Sequence, residues 1–213
     1  MAKKTKATSR RGRRPTDRSA LLAKLQAIGL FTRQDATKMG LPAAALSRLA
    51  RRGEIEQVGR NLFMHPQAAI DAEAVDFAAA CGLLGPEAAI GGLSALFHHR
   101  LIEEAPSRIW VLVSPGQRTR QQRYRLLRTT IPLDVEIETR SHYRIATLER
   151  SVVEAFKHER IWGLETAFAA AKAAIDTRQT TSAKLLASAR ELGLDSAILK
   201  HWEVLLAFEG PSS

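Results

Sequence analysis

The chain has 213 residues, of which 45% are hydrophobic and 25% are charged, as in a folded globular protein. This length suffices for one large domain or two small ones, each with its own core. The sequence contains no run of eighteen apolar residues, and no apolar segment follows the basic N-terminus, so we expect neither a membrane span nor a secretory signal. A single cysteine, Cys81, excludes an internal disulfide, and these features together predict a cytoplasmic protein.

The formal net charge of +10 is unevenly distributed along the chain. Residues 1–66 contain 15 basic and 4 acidic side chains, a net charge of +11, whereas residues 67–213 contain 17 basic and 18 acidic side chains, a net charge of −1. This asymmetry predicts a basic module that binds a polyanion, joined to a near-neutral module with a different role.

Residues 1–17 have no apolar periodicity, and they are predicted to be a basic flexible tail. Seven cations lie within them: Lys3, Lys4, Lys6, Arg10, Arg11, Arg13 and Arg14. The tail either keeps the chain soluble or contacts nucleic-acid phosphate or the minor groove. Beside a DNA-binding domain, such an arm would raise affinity and salt dependence without adding base specificity.

The segment after the tail predicts three short helices. Four apolar residues at helical spacing indicate the first helix, which ends at Gly29: Leu21, Leu22, Leu25 and Ile28. Thr32 is a suitable N-cap for a second helix over residues 33–39. Pro42, whose fixed φ suits the start of a helix, predicts a third helix over residues 43–52.

A β-hairpin is predicted after the third helix. Residues 55–58 and 62–64 have strand composition, and Gly-Arg-Asn at residues 59–61 forms the turn between them. Three helices followed by a hairpin are the element order of a winged helix-turn-helix, so we predict this DNA-binding domain over residues 18–66. In that fold the third helix lies in the major groove, and the hairpin reaches the flanking backbone or minor groove.

The predicted DNA contacts are polar residues of these elements. Ser47, Arg48 and Arg51 lie on the outward face of the third helix, where we expect them to contact base edges. The residues expected to contact the backbone or the minor groove are Arg33, Arg52, Arg60 and Asn61. The alternative is a winged helix used for protein contact, with the arginines as a solvated face. The net charge of +11 favours DNA.

Residues 67–209 predict a second domain of mixed α/β type. Helices over residues 73–81 and 89–99 precede four strand-like segments: 108–114, 124–130, 135–139 and 142–146. Residues 149–209 are mostly helical in pattern, with one helix capped by Ser182. The predicted fold class is therefore α+β: an N-terminal winged helix-turn-helix, then a mixed α/β domain with a small sheet flanked by helices and a helical C-terminal part.

Four segments resemble the AbiE-type antitoxin and transcriptional regulator family, which belongs to type IV toxin–antitoxin, or abortive infection, systems. They are the segment from Leu21 that ends in ALSRLARRGEIEQVGRNLF, GLSALFHHRL at residues 92–101, RIWVLVSPGQR at 108–118 and LERSVVEAF at 148–156. The resemblance covers most of residues 19–207. Family members often carry Thr and Asp where this chain has Ser151 and Glu154, and both differences are conservative.

The resemblance implies a two-domain protein with two kinds of partner. The winged helix would bind inverted repeats in double-stranded DNA at its own promoter and repress the operon. The antitoxin-type domain over residues 67–209 would neutralise a cognate nucleotidyltransferase toxin and support cooperative binding on DNA. A stand-alone regulator without a toxin partner is the alternative.

An enzyme of the nucleotidyltransferase class is a further alternative. The segment IGGLS at residues 90–94 resembles the helix start that holds a triphosphate in such enzymes. The strand that follows it, RIWV at residues 108–111, lacks the two carboxylates that would hold Mg²⁺. We therefore predict no enzymatic activity, no catalytic residue, no metal and no cofactor, and we interpret Gly91 and Gly92 as sites of close packing. An active or degenerate nucleotidyltransferase-like protein stays as the alternative.

Two charged clusters in the second domain have open interpretations. Asp134, Glu136 and Glu138 alternate along a predicted strand, which would place all three on one face. Five arginines precede them: Arg118, Arg120, Arg123, Arg125 and Arg128. Cross-strand pairing with Glu136 and Glu138 is the default interpretation of these arginines. A second phosphate-contact surface and a docking face for an acidic toxin are the alternatives.

Overall fold

The computed structural model of the protein describes residues 16–209, so all but the last two residues of the predicted tail lie outside the described range. Packing divides the described chain into two compact units. The first comprises residues 16–57 and 63–70, and the second comprises residues 58–62 and 71–209. Within residues 16–209, no helix is long and apolar enough to cross a membrane.

The N-terminal elements form a winged helix-turn-helix, as predicted. They are α1 (Thr16–Ile28), β1 (Leu30–Thr32), α2 (Arg33–Lys38), α3 (Ala43–Arg51), β2 (Glu56–Gly59) and β3 (Leu62–Met64). The strands form one sheet in the order β1-β3-β2. β1 was not predicted, because it pairs with β3, which is distant from it in the sequence.

An apolar core joins the helices of the first unit to its sheet. The buried side chains are Leu25, Phe31, Ala36, Leu41, Leu46, Leu49, Ile55 and Phe63. The rings of Phe31 and Phe63 stack with their centroids 6.0 Å apart, which joins β1 to β3. Leu25 is fully buried, whereas Ile28, which the helical spacing places on the same apolar face, is 47% exposed at the end of α1.

The second unit is built on a five-stranded mixed sheet. Its first elements are α4 (Ala72–Leu84), β4 (Ala89–Ile90), α5 (Gly92–His98), β5 (Ile109–Val113), β6 (Tyr124–Arg128), β7 (Ile137–Thr139) and β8 (Arg144–Ala146). The strand order is β6-β5-β4-β8-β7. β4 runs antiparallel to β5 and parallel to β8, β5 runs parallel to β6, and β7 runs antiparallel to β8. The helix predicted over residues 89–99 was wrong at its start, because Ala89 and Ile90 form this buried central strand.

The last part of the second unit is helical, so the predicted α+β class is confirmed. The helices are α6 (Leu148–Lys157), α7 (Glu159–Trp162), α8 (Leu164–Asp176), α9 (Ser182–Glu191), α10 (Asp195–Leu199) and α11 (Trp202–Phe208). The predicted cap at Ser182 was wrong by one residue: the Thr181 hydroxyl accepts the Lys184 N–H at 3.2 Å. The Ser182 hydroxyl instead donates to the Leu205 carbonyl at 3.0 Å, which joins α9 to α11.

We expect His99 to make the stability of the second unit depend on pH. It caps the C-terminus of α5, and its Nε2 lies 2.8 Å from the Ala146 carbonyl oxygen. Burial lowers the pKa of this imidazole, because desolvation disfavours its charged form. The unfolded chain therefore takes up the proton first, so stability is full above the unfolded pKa of about 6.5 and falls as the pH drops below it.

We expect the urea midpoint of the wild type to fall between about pH 7.5 and pH 5.5. His99→Gln keeps a donor for the Ala146 carbonyl but cannot take up a proton in this range, so its midpoint should fall less. Urea titrations at both pH values measure the two falls. Equal falls in the wild type and the variant would show that His99 does not contribute.

Candidate nucleic-acid interface

The start of α2 is fixed by a reciprocal capping box. The Thr32 hydroxyl accepts the Asp35 N–H at 3.2 Å, and the Asp35 carboxylate accepts the Thr32 N–H at 2.9 Å. These two backbone N–H groups, which have no partner within the helix, are hydrogen-bonded in this way. Thr32 was predicted as the cap, but its partner Asp35 was not named, although the Thr-x-x-Asp spacing indicates the pair.

The turn between α2 and α3 orients the third helix. Gly40 has φ +80°, in the left-handed region that favours glycine. The Leu41 N–H donates to the Ala36 carbonyl at 2.8 Å, and the Leu41 side chain is buried in the core. Pro42 has extended dihedral angles and serves as the N-cap of α3. α3 therefore leaves the turn in a direction set by one backbone hydrogen bond and one buried leucine.

The two faces of α3 differ sharply in burial and chemistry. Leu46 and Leu49 are buried in the core, whereas Ser47, Arg48 and Arg51 are exposed. The Ser47 hydroxyl donates to the Ala43 carbonyl at 3.2 Å, and the Arg51 Nε donates to the Ser47 carbonyl at 3.3 Å. The predicted recognition residues therefore lie together on one solvent-facing surface of the helix.

The remaining predicted contact residues are also exposed. Arg33 is the first residue of α2, and Arg52 is the C-cap of α3. Arg60 and Asn61 form the two-residue loop between β2 and β3, where Asn61 adopts φ +69°. Asparagine tolerates this left-handed conformation better than most residues. All seven predicted contact residues are thus accessible to solvent.

Two carboxylates of the first unit are engaged by neighbouring groups. Asp35 accepts the capping hydrogen bonds, and Glu54, just after α3, forms an ion pair with Arg18 of α1. The cations of α3 therefore face solvent without competition from these two carboxylates. The arrangement is a basic, exposed helix face on a winged helix-turn-helix.

The comparison with known families agrees with this geometry. Residues 17–64, less than a quarter of the chain, match the family model described as "Transcriptional regulator, AbiEi antitoxin". The matched range covers α2, α3 and the hairpin, and the resemblance to AbiE-type antitoxin regulators is confirmed for this N-terminal part. No curated protein matches the chain.

The glycine pair between β4 and α5 lies in close contact with the sheet. A Cβ atom at Gly91 would lie 2.5 Å from the Leu112 Cγ, and one at Gly92 would lie 2.7 Å from a Leu127 methyl carbon. Both glycines therefore allow close packing between α5 and the sheet, as interpreted from the sequence. β5 carries no carboxylate.

The three acidic residues around β7 do not share one face. Only Glu138 lies in the strand, and it forms an ion pair with Arg140. Glu136 adopts φ +48° in the preceding turn, and its carboxylate accepts hydrogen bonds from the Thr147 and Ser188 hydroxyls. The predicted alternation was wrong because the strand begins only at Ile137.

The histidine pair and the cysteine have structural roles. His98 Nδ1 lies 2.8 Å from the Glu73 carboxylate, and His99 Nε2 lies 2.8 Å from the Ala146 carbonyl oxygen. The two rings contact each other edge to face, but their nitrogen atoms have different partners. Burial raises the pKa of the Cys81 thiol, which keeps it protonated. In the part of the chain that the structure describes, no group of three or more His, Cys, Asp or Glu side chains could hold a metal ion.

The arginines at residues 118–128 do not pair with Glu136 or Glu138, contrary to the default interpretation. β6, which carries Arg125 and Arg128, lies at one edge of the sheet, whereas β7 lies at the opposite edge. Three strands separate them, and cross-strand pairing requires neighbours about 5 Å apart. Arg123 forms an ion pair with Asp76 of α4 instead.

Proposed function

We propose that this protein is a DNA-binding transcriptional repressor of antitoxin type. In this proposal α3 enters the major groove of an inverted-repeat operator upstream of its own operon, with Ser47, Arg48 and Arg51 at base edges. Arg33, Arg52 and the loop residues Arg60 and Asn61 contact phosphate or the minor groove. The observation that carries the proposal is the exposed basic face of α3 in a domain that matches antitoxin regulators.

The second unit would neutralise a nucleotidyltransferase toxin encoded beside this chain. The match of residues 17–64 to an antitoxin regulator family supports an antitoxin role, and the packed Gly91-Gly92 segment favours a non-enzymatic one. A stand-alone regulator without a toxin is the second candidate. The two candidates differ in whether an adjacent gene encodes such an enzyme and whether this chain relieves its toxicity.

A reporter driven by the chain's own upstream region tests the proposal in cells. We expect the full chain to repress the reporter and R48A/R51A to lose repression, because both arginines lie on the α3 face. K184A/R190A removes two exposed cations of α9 and should repress like the wild type. If R48A/R51A represses fully, α3 is not the recognition helix.

Co-expression with the adjacent nucleotidyltransferase separates the two roles. If the chain is an antitoxin, we expect R48A/R51A still to restore growth of toxin-expressing cells, because neutralisation uses the second unit. Failure of the wild-type chain to restore growth would leave the stand-alone regulator.

The basic segment that lies outside the described residues is expected to act through charge alone. Deletion of residues 1–14 should weaken binding to all DNA sequences by a similar factor and reduce the slope of log K against log salt by roughly 0.9 for each lost phosphate contact. Binding titrations of the deleted and full chains on two DNA sequences at several salt concentrations give both quantities. A change in sequence preference after the deletion would contradict this division of roles.

A further inference from the structure

An arginine-lined groove runs along β6 in the second unit. Its volume is about 780 Å³, and its lining includes five arginines from three segments of the chain: Arg108, Arg118, Arg120, Arg125 and Arg128. All five side chains are exposed, and the lining contains no Asp or Glu. Among residues 16–209, none of these guanidinium groups forms an ion pair with a carboxylate. The groove therefore holds a concentrated positive charge on a unit whose sequence is close to neutral overall.

The groove also offers backbone hydrogen-bonding groups. β6 is an edge strand of the sheet within the described range. The Arg123 carbonyl and the Thr129 N–H bond toward β5, to Ile109 and Val113. Because backbone groups alternate along a strand, those of Leu126 and Arg128 point to the open edge. An extended polypeptide can pair with such an edge, whereas duplex DNA cannot.

Apolar and aromatic groups complete the lining. Trp110 lies in the groove with the Arg125 guanidinium 5.7 Å from its ring centroid, and Ile161 is 50% exposed at the groove wall. Tryptophan and arginine are among the side chains enriched at the centre of protein–protein interfaces. The groove contains arginine but no lysine, which suits planar, bidentate pairing with carboxylates.

We propose that this groove binds an acidic, extended polypeptide segment of a partner protein, which adds to β6 as a sixth strand. Its backbone pairs with Leu126 and Arg128, and its carboxylates pair with the surrounding guanidinium groups. The basic N-terminal segment of this chain is excluded as the occupant by its like charge. The proposal is independent of DNA binding by α3.

Duplex DNA is the rival ligand that the test must separate. The exposed guanidinium groups of the groove would also attract a phosphate backbone, because arginine pairs with phosphate as well as with carboxylate.

Fluorescence anisotropy with a labelled (Glu-Val)₅ decapeptide tests the proposal on the full chain. At about 0.15 M salt, where loose surface attraction is screened, R125A/R128A should weaken peptide binding by about tenfold or more. K184A/R190A removes the same charge from the exposed face of α9, so it should stay within about twofold of the wild type. Circular dichroism of each variant verifies that it is folded.

Two further probes test the strand pairing and the ligand class. A decapeptide of the same sequence with alternate backbone nitrogens methylated keeps its charge but loses strand donors, so we expect it to bind about tenfold more weakly. The affinity for a DNA duplex of scrambled sequence should fall no more in R125A/R128A than in K184A/R190A. Unchanged peptide binding in R125A/R128A, equal binding of the methylated peptide, or a larger loss on duplex DNA than on peptide would each overturn the proposal.

Discussion

Arg48→Ala is expected to cost about 1–3 kcal/mol of binding free energy on the operator and to leave binding to unrelated DNA almost unchanged. The reason is the position of Arg48 on the exposed face of α3, opposite the buried Leu46 and Leu49. A recognition helix places this face against base edges, where a guanidinium pairs with guanine in a bidentate manner. The loss should therefore be confined to the preferred sequence.

Arg52→Ala provides the matched comparison for Arg48→Ala. Arg52 is the exposed C-cap of α3, and we expect it to contact phosphate. Removal of its guanidinium group should weaken binding to operator DNA and to scrambled DNA by a similar factor, because phosphate contacts carry no sequence information. Competition titrations measure, for each variant, the ratio of its affinity for operator DNA to its affinity for scrambled DNA. If Arg48→Ala behaves like Arg52→Ala, α3 does not read bases through Arg48.

Arg150→Met is expected to destabilise the second unit by about 3–5 kcal/mol, the usual cost of removing one partner of a buried ion pair. Arg150 is fully buried, and its Nε donates to the Glu154 carboxylate at 3.0 Å. Its Nη1 donates to the carbonyls of Pro132 and Val135, so one side chain joins α6 to the loop before β7. Methionine leaves both carbonyls without this donor and leaves a buried carboxylate without its cation.

The double variant R150M/E154L distinguishes the charge from the packing. Because this variant removes both charges, it should regain a large part of the free energy of unfolding that R150M loses. Replacing a buried ion pair by apolar residues is often neutral for stability. K172A/D176A removes an exposed pair at the same spacing on α8 and should cost less than about 1 kcal/mol. Urea unfolding followed by circular dichroism measures all three variants. A loss in R150M no larger than that in K172A/D176A would contradict a structural role for the pair.

The pH dependence of the same variants gives a second test. Burial raises the pKa of the Glu154 carboxyl, and the Arg150 guanidinium opposes this rise. Without Arg150 the pKa rises further, so the folded state takes up the proton before the unfolded state does. Stability is then lost as the pH rises through the folded pKa and regained as it falls. The difference in the free energy of unfolding between R150M and R150M/E154L should therefore become smaller as the pH is lowered.

The winged helix could be predicted from the sequence because its signals are local. Leu46 and Leu49 recur at helical spacing, Thr32 caps the helix that follows it, and Gly29 lies where the first helix ends. Each of these features acts within a few residues, so the exposed face of α3 followed directly from the buried one. The strand β1 was not predicted, because it pairs with β3, which is distant in sequence, and Phe31 stacks on Phe63 there.

The second unit was harder to predict because its features depend on strand order. Ala89 and Ile90 form a strand of two residues that exists only because β5 and β8 lie on either side of it. The arginines near β6 and the acidic residues near β7 are close in sequence, yet the sheet separates them to opposite edges. Arg108 and Ile161 join the groove from distant segments, and no local pattern indicates this.

Binding of the full chain to its own upstream DNA, beside scrambled DNA of equal length, tests the central claim most directly. The titration is made at about 50 mM and about 200 mM salt, because phosphate contacts weaken steeply over this range. We expect a site-specific complex on the upstream DNA that persists at the higher salt, while the complex with scrambled DNA is lost. Equal affinity for both DNAs, vanishing together at the higher salt, would contradict sequence recognition by α3.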